Sequence, residues 1–410
     1  MPGEVALLHQ LGRESMPITD RSQVAYVLLE ASPTELVAQV RMPLNFALVL
    51  DCSGSMHGKK LQSVKDAVKK VIDHLSPADN IAVVSFSNRA RTVISSQPAR
   101  DPQGMKAFVD TIRSGGGTNM PLGMRQGLDE LFRWNIPTSI KRMILLTDGR
   151  TLGGNKCRQL ARDAREAGVV IHPLGIGADW DEKLLDEIGL LSGGSEAEFV
   201  RHPDDAMTIF QQQVQSAMDV VVRNAVLTVQ LPQGVSPRRA VKVLPAISDL
   251  GPSVLSDRRI VIPLGDLEKG NPPSVLVELV IEPRAPGLFR IAQAELSYDV
   301  PALGLTGQVV RDDIKVTFRS DAMQTAQVNA VVMNFVERVN AFRLVSKVLD
   351  EYRQTGRTTT RLAPNVTRVL DAETQATLEQ IQQGQQISQE QMKSVGNKTR
   401  KLTQRLDNVI

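Results

Sequence analysis

The chemistry in this chain gathers first in a short stretch, LNFALVLDCSGSMHGKK, Leu44 to Lys60. A run of largely apolar residues ends in Asp51, and Ser53 and Ser55 follow at alternate positions. Alternate side chains of an extended loop can point to one side, so one carboxylate and two hydroxyls can converge, and Gly54 permits the bend this needs. Such a cluster could act on a substrate, hold a metal or simply turn the chain. Two distant segments carry matching chemistry. GGGTNM places Thr118 behind three glycines at the mouth of a helix, and LLTDG places Asp148 at the end of another apolar run. Together Asp51, Ser53, Ser55, Thr118 and Asp148 make two carboxylates and three hydroxyls, all oxygen. That inventory suits a hard divalent cation in octahedral geometry, Mg²⁺ or Mn²⁺. Zinc would want Cys or His, and Ca²⁺ usually takes more oxygens than these, though it stays an alternative.

These residues converge only if the elements around them place them at one edge. Between Asn45 and about Ser216, NFALVLD, IAVVSFS, KRMILLTDG and VVIHPLGIG are continuous aliphatic runs, as expected of strands buried on both faces. KLQSVKDAVKKVIDHL, PLGMRQGLDELFRW, CRQLARDAREAG and DEKLLDEIGLLSG alternate with them as amphipathic helices. ARTVISS reads as a short antiparallel edge strand. The expected fold is α/β: a doubly wound, mostly parallel sheet over residues 43–220, with loops converging at the carboxyl ends of its strands. After about Val220 the rhythm changes to near-alternating strands without helices, an antiparallel β-sandwich over 221–320. SQVAYVLLEAS, Ser22 to Ser32, shares that alternation, so residues 1–42 are expected to supply its N-terminal part. Residues 321–410 read as a helical region. Val332, Phe335, Val336, Val339, Phe342, Val345 and Leu349 make the stripe of one long amphipathic helix, a second helix follows Pro364, and a basic segment closes the chain.

In order and spacing, D-C-S-G-S at 51–55, G-G-T at 116–118 and T-D-G at 147–149 resemble the metal-ion-dependent adhesion site of the von Willebrand factor A domain, the integrin inserted-domain fold. The resemblance covers roughly Asn45 to Asp219 and points to a bacterial stand-alone protein of this kind. It implies that Ser53, Ser55 and Thr118 touch the metal directly while Asp51 and Asp148 act largely through bound water. A shell of mostly neutral hydroxyls and water leaves the cation under-neutralised, so an Asp or Glu of a protein partner can complete it. The function implied is metal-dependent protein–protein interaction of the adhesion type, with no enzymatic activity. The alternative is a scaffold or adaptor subunit of an ATPase- or chelatase-type complex.

Competing chemistries lack their parts. A haloacid dehalogenase-type phosphatase needs a second Asp where Ser53 stands. Neither serine sits in Gly-x-Ser-x-Gly. Nothing in sequence orients His57 against Ser53 or Cys52, and GGGTNM lacks the Gly-Lys-Ser/Thr of a phosphate-binding loop. Across the 410 residues, 48 basic side chains against 45 acidic ones leave a formal charge of +3, too even to expect nucleic acid or an anionic membrane as partner. Two cysteines, Cys52 and Cys157, do not make a disulfide framework and favour a reducing compartment. With no apolar leader at the N-terminus and no run long enough to span a bilayer, the expected location is the cytoplasm. The C-terminal helices are a candidate for self-association.

Overall fold

The computed structural model describes residues 3–406 apart from 40, 135 and 137. The first two and last four residues of the regions expected above therefore lie outside the described residues. The chain divides into two compact units, one of Arg41–Val220 and one of Met1–Val40 with Val221–Ile410.

In the first unit the strand Leu44–Asp51 is buried at all eight positions. It pairs in parallel with Asn80–Phe86 on one side and Ile140–Thr147 on the other. Val169–Ile176 and the short Glu198–Val200 extend the sheet in parallel, and Ala90–Pro98 closes the other edge antiparallel, as its sequence suggested. Because strand side chains alternate, this central strand feeds two cores. Phe46, Leu48 and Leu50 meet Val64, Val68 and Phe210 of the helices Lys59–His74 and Asp205–Met218. Ala47 and Val49 meet Met124, Leu128, Leu160 and Leu185 of the helices Met120–Arg133, Gly154–Glu166 and Glu182–Leu191. The helix Pro102–Asp110, capped by Asp101, and the strand Glu198–Val200 are elements that the apolar patterning did not reveal.

The first strand of this unit, Leu44–Asp51, lies mid-sheet, with the unit's second and third strands to one side and its fourth to sixth to the other. The chain therefore leaves Leu44–Asp51 toward one face and Ile140–Thr147 toward the other, and a crevice opens between their carboxyl ends. Asp51 and Asp148 stand on either side of it.

Two glycines seat the helix that follows Thr118. A Cβ at Gly123 would stand 2.6 Å from Phe86 Cδ1 and 2.7 Å from its Cγ, and one at Gly127 would stand 2.5 Å from Val49 Cγ2. Four residues apart, they put one bare stripe of helix directly on the sheet.

In the second unit, Val5–Leu11, Gln23–Pro33, Ser274–Ile281, Val235–Leu244 and Ser248–Asp249 form one sheet. The other sheet runs Leu255–Ser256, Arg259–Glu268, Val220–Gln230, Gly287–Val300, Leu305–Arg319 and Ser15–Pro17. One face of the first sheet, including Val27 and Leu29, joins the shared core of the sandwich. Its other face, with Leu28, Val241 and Leu276, is covered by the helix Ala330–Thr355 through Val332, Phe335, Val339 and Val345. The apolar stripe is thus consumed within the chain, which removes the basis for expecting self-association through it. The helix starts at Ala330, capped by Asn329, and the segment after Pro364 breaks into Pro364–Thr367 and Ala372–Gln382. The basic segment is not a wholly solvated face, because Gln389–Arg400 buries Lys393, Val395 and Thr399. Glu351 gathers the turn that follows the long helix, accepting from the Thr358 hydroxyl (2.7 Å), the Thr359 amide (2.9 Å) and the Thr360 hydroxyl (2.9 Å). Those donors lower its carboxyl from an ordinary 4.5 to about 2. Among the described residues, no helix is long and apolar enough to cross a membrane.

Two outcomes follow. Replacing Gly123 by alanine should raise helix propensity by about 1 kcal/mol yet lower net stability by up to about 2 kcal/mol, because overpacking against Phe86 costs about 1–3 kcal/mol; the urea midpoint is the measure. Glu351→Gln should lower the melting temperature at pH 7. A depressed carboxyl stabilises above its unfolded pKa and loses that contribution as pH falls through its folded value, so the gap to wild type should close from pH 4.5 toward 2.

Candidate metal centre

Backbone hydrogen bonds build this site before any side chain is considered. The Cys52 amide donates to Phe86 O (2.8 Å), tying the end of the central strand to its neighbour. The Gly115 amide donates to Cys52 O (2.8 Å) and the Gly54 amide to Gly116 O (2.9 Å), which lays the glycine loop along residues 52–54. From the other side the Asn88 side chain accepts from the Gly117 amide (2.9 Å), and the Asn119 amide donates to Ser87 O (2.8 Å). Two of the three glycines, Gly116 and Gly117, sit where a side chain would be strained or crowded. Gly116 has φ +83, and a Cβ at Gly117 would stand 2.7 Å from Asn88 Oδ1. Thr118 is therefore delivered by a clamped loop.

The side chains then form a chain of oxygens. Asp51 Oδ1 accepts from the Ser53 amide (2.8 Å) and Oδ2 from the Thr147 hydroxyl (2.6 Å). Ser53 Oγ lies 3.1 Å from Ser55 Oγ, and Ser55 donates to Asp148 Oδ1 (2.7 Å). The Lys60 ammonium donates to Asp148 Oδ2 (2.6 Å). Thr118 reaches the group beside Gly149, where an added Cβ would stand 3.3 Å from its Oγ1. Hydrogen bonds thus bring together Asp51, Ser53, Ser55 and Asp148, and Thr118 lies next to Gly149, the neighbour of Asp148. Asp51 (0% exposed), Ser53 and Asp148 (2% each) are buried, whereas Ser55 is open to solvent and Thr118 partly so.

Burial pushes the Asp51 carboxyl above its ordinary range. Hydrogen bonds from Thr147 and Ser53 offset part of this, and the Asp148 charge adds to it. A buried carboxylate facing a second one is a place where a cation is electrostatically favoured. Among the described residues no group of three or more His, Cys, Asp or Glu could hold a metal. The donors of this mixed set fit a hard cation: they are oxygens only, contiguous, and open on the Ser55 side.

Three contributors were not singled out from sequence. Thr147 and Lys60 both lie inside quoted motifs, T-D-G and S-M-H-G-K-K, and Asn88 follows an apolar strand as Ser55 does. The nucleophile readings receive no support. The Cys52 Sγ is 3.1 Å from Phe86 O and its thiol is pushed up by burial and by Asp51, opposite to what a reactive thiolate needs. His57 is exposed, its Nδ1 lying 3.0 Å from Gly54 O. Cys52 and Cys157 are free and belong to cores on opposite faces of the sheet.

A mostly parallel sheet of this order carries the hydroxyls and carboxylates at its crevice. Residues 45–215 match the family model of the von Willebrand factor type A domain. The chain is 29% identical over 287 residues to the uncharacterized protein sll0103 of Synechocystis sp., covering 68% of this chain and 67% of that one. It is 32% identical over 187 residues to human inter-alpha-trypsin inhibitor heavy chain H4, a match covering 42% of this chain and only 20% of that protein. Its fold resembles that of a von Willebrand factor type A protein from Catenulispora acidiphila, with TM-score 0.74, 19% identity and 96% of each chain covered. It also resembles VWA2, the ArnB paralog of Sulfolobus acidocaldarius, with TM-score 0.57, 15% identity and coverage of 98% and 99%.

Asp51→Asn should leave the melting temperature in EDTA unchanged or higher, since it removes a buried charge and the Thr147 hydroxyl can reverse to accept from the amide. The same variant should lose any rise in melting temperature that Mg²⁺ gives wild type.

Proposed function

We propose that residues 43–220 form a cation-dependent protein-binding module and that the chain is not an enzyme. In this reading Asp51, Ser53, Ser55, Thr118 and Asp148 hold Mg²⁺, with Mn²⁺ or Ca²⁺ as alternatives. The flanking divisions are 1–42 and 221–320 for the sandwich and 321–410 for the helices. The observation that carries the reading is the run of hydroxyls from Ser53 through Ser55 to Asp148, open to solvent at Ser55 and closed behind by Asp51. When bound, the cation supplies a strong electrostatic attraction for a carboxylate oxygen of a partner's Asp or Glu.

The residues divide the work. Asp51 orders the loop by accepting from the Ser53 amide, and Thr147 saturates its second oxygen. Ser55 and Thr118 present neutral oxygens toward solvent, so they add ligands without cancelling charge. Asp51 accepts from the Ser53 amide and the Thr147 hydroxyl, and Asp148 from Ser55 and Lys60, so both carboxylates are held in place by the fold.

Calorimetry with MgCl₂ should find one site. Thr118→Val, which keeps shape and removes the hydroxyl, should weaken it about tenfold or more, as expected for losing about 1.4 kcal/mol or more of ligand energy, with an unchanged urea midpoint in EDTA. An array of acidic peptides should retain wild type in Mg²⁺ and release it in EDTA. Retention indifferent both to EDTA and to Thr118→Val would contradict the proposal.

A further inference from the structure

Asp148 is buried at the end of Ile140–Thr147, and its two oxygens have different partners. Oδ1 takes the Ser55 hydroxyl at 2.7 Å and Oδ2 takes the Lys60 ammonium at 2.6 Å. Lys60 is the second residue of the helix Lys59–His74, whose apolar side faces one core of the sheet, whereas Thr118 precedes the helix packed on the opposite core. The ammonium ends beside the loop after Val169–Ile176, where a Cβ at Gly177 would stand 3.9 Å from Nζ. One carboxylate is thus shared between the hydroxyl cluster and a lysine arriving from another side.

The lysine's position runs against its own helix. A cation in the first turn opposes the helix dipole, and Lys59 stands beside it, so helix stability does not account for Lys60. Its partner does, since a buried carboxylate without a counter-charge is costly. The charge count has a second consequence. Asp51 and Asp148 contribute two negative charges and Lys60 returns one positive, so the centre offers a divalent cation about half the charge its carboxylates suggest.

We propose that Lys60 is a fixed counter-cation of this centre: it holds Asp148 in place when no metal is bound and, by staying there, keeps divalent-cation affinity low. A cation bound under those terms retains more of its charge for an incoming carboxylate. This rests on the metal-binding reading above and adds to it the residue that sets affinity. Lys60 is a positioning residue, because it acts through Asp148.

The test compares the full chain as wild type, Lys60→Met, Lys60→Gln and Lys60→Arg, by calorimetry with MgCl₂ and MnCl₂ and by melting in EDTA and in saturating Mg²⁺. Met keeps much of the aliphatic stem, Gln keeps a hydrogen-bond donor, and neither keeps the charge. Both should bind Mg²⁺ about tenfold more tightly than wild type, the scale expected on removing one unit charge a few ångströms away at a partly solvated site. Both should melt lower in EDTA and gain more from Mg²⁺, while Arg should stay near wild type. If Met fails to fold, the gain must appear in Gln. Equal melting losses in EDTA and Mg²⁺ without a gain in affinity would reduce Lys60 to a structural ion pair and overturn this inference while leaving the metal reading standing. No binding of either cation by wild type or by the charge-free variants would overturn both.

Discussion

A carboxylate with no exposed surface, Asp51, governs this site. A buried charge is tolerated only where donors or a counter-charge surround it. Both of its oxygens are engaged, by the Ser53 amide and the Thr147 hydroxyl. The first contact bends the chain after the central strand so that Ser53 and Ser55 turn together. The second binds the ends of two neighbouring parallel strands across the crevice. The loop that carries Thr118 is fixed to this bend by the backbone of Gly54 and Cys52 and by the Asn88 side chain, so the satisfied acid and the backbone bonds together set the geometry.

Hydroxyls have a cost and an advantage here. A neutral oxygen binds a cation more weakly than a carboxylate does, so its position must be set by the fold rather than drawn in by charge. The fold supplies this at Thr118 with glycines on both sides of the problem. Gly116 and Gly117 let the loop pass Asn88, and Gly123 with Gly127 let the following helix rest on Phe86 and Val49 without an intervening side chain. Side chains at those positions would lift the helix away from the strand ends and take Thr118 with it.

The parts of this arrangement legible in sequence are those that depend on local pattern. Unbroken aliphatic runs such as NFALVL mark strands buried on two faces, and D-x-S-x-S at the end of one implies a loop that gathers oxygens. Thr118 and Asp148 were recognisable because each follows its own local signal, a glycine run and a strand end. Thr147, Lys60 and Asn88 were present in the same segments but act on residues 29 to 96 positions away, and no periodicity announces such pairs. The strand Val5–Leu11 was obscured for a related reason: an exposed Leu8 and a polar His9 on the inward face blur its alternation, and the partner of His9, Asp312, lies about 300 residues away. The C-terminal helices show the same limit. Their apolar stripe was readable, but not that it lies on Leu28 and Val241.

Two kinds of contact join the site's helix Lys59–His74 to the helix Asp205–Met218, which runs directly into the strand Val220–Gln230, and their magnitudes differ. Asp204 takes the Lys59 ammonium at 2.8 Å and the Ser63 hydroxyl at 3.1 Å. The ion pair is largely exposed, so solvent screens it and it holds the helices together only weakly. The apolar contact is of another order. Ile209, Phe210 and Val214 share a core with Val64, Val68 and Val71, and full burial of such side chains is worth about 1.5–3 kcal/mol each. The two helices are therefore held by packing, which resists small sliding more than rotation of surface groups. A displacement of Lys59–His74 large enough to be felt at Asp205–Met218 has to move that packed interface, so the two helices are joined through valines and a phenylalanine rather than through charge.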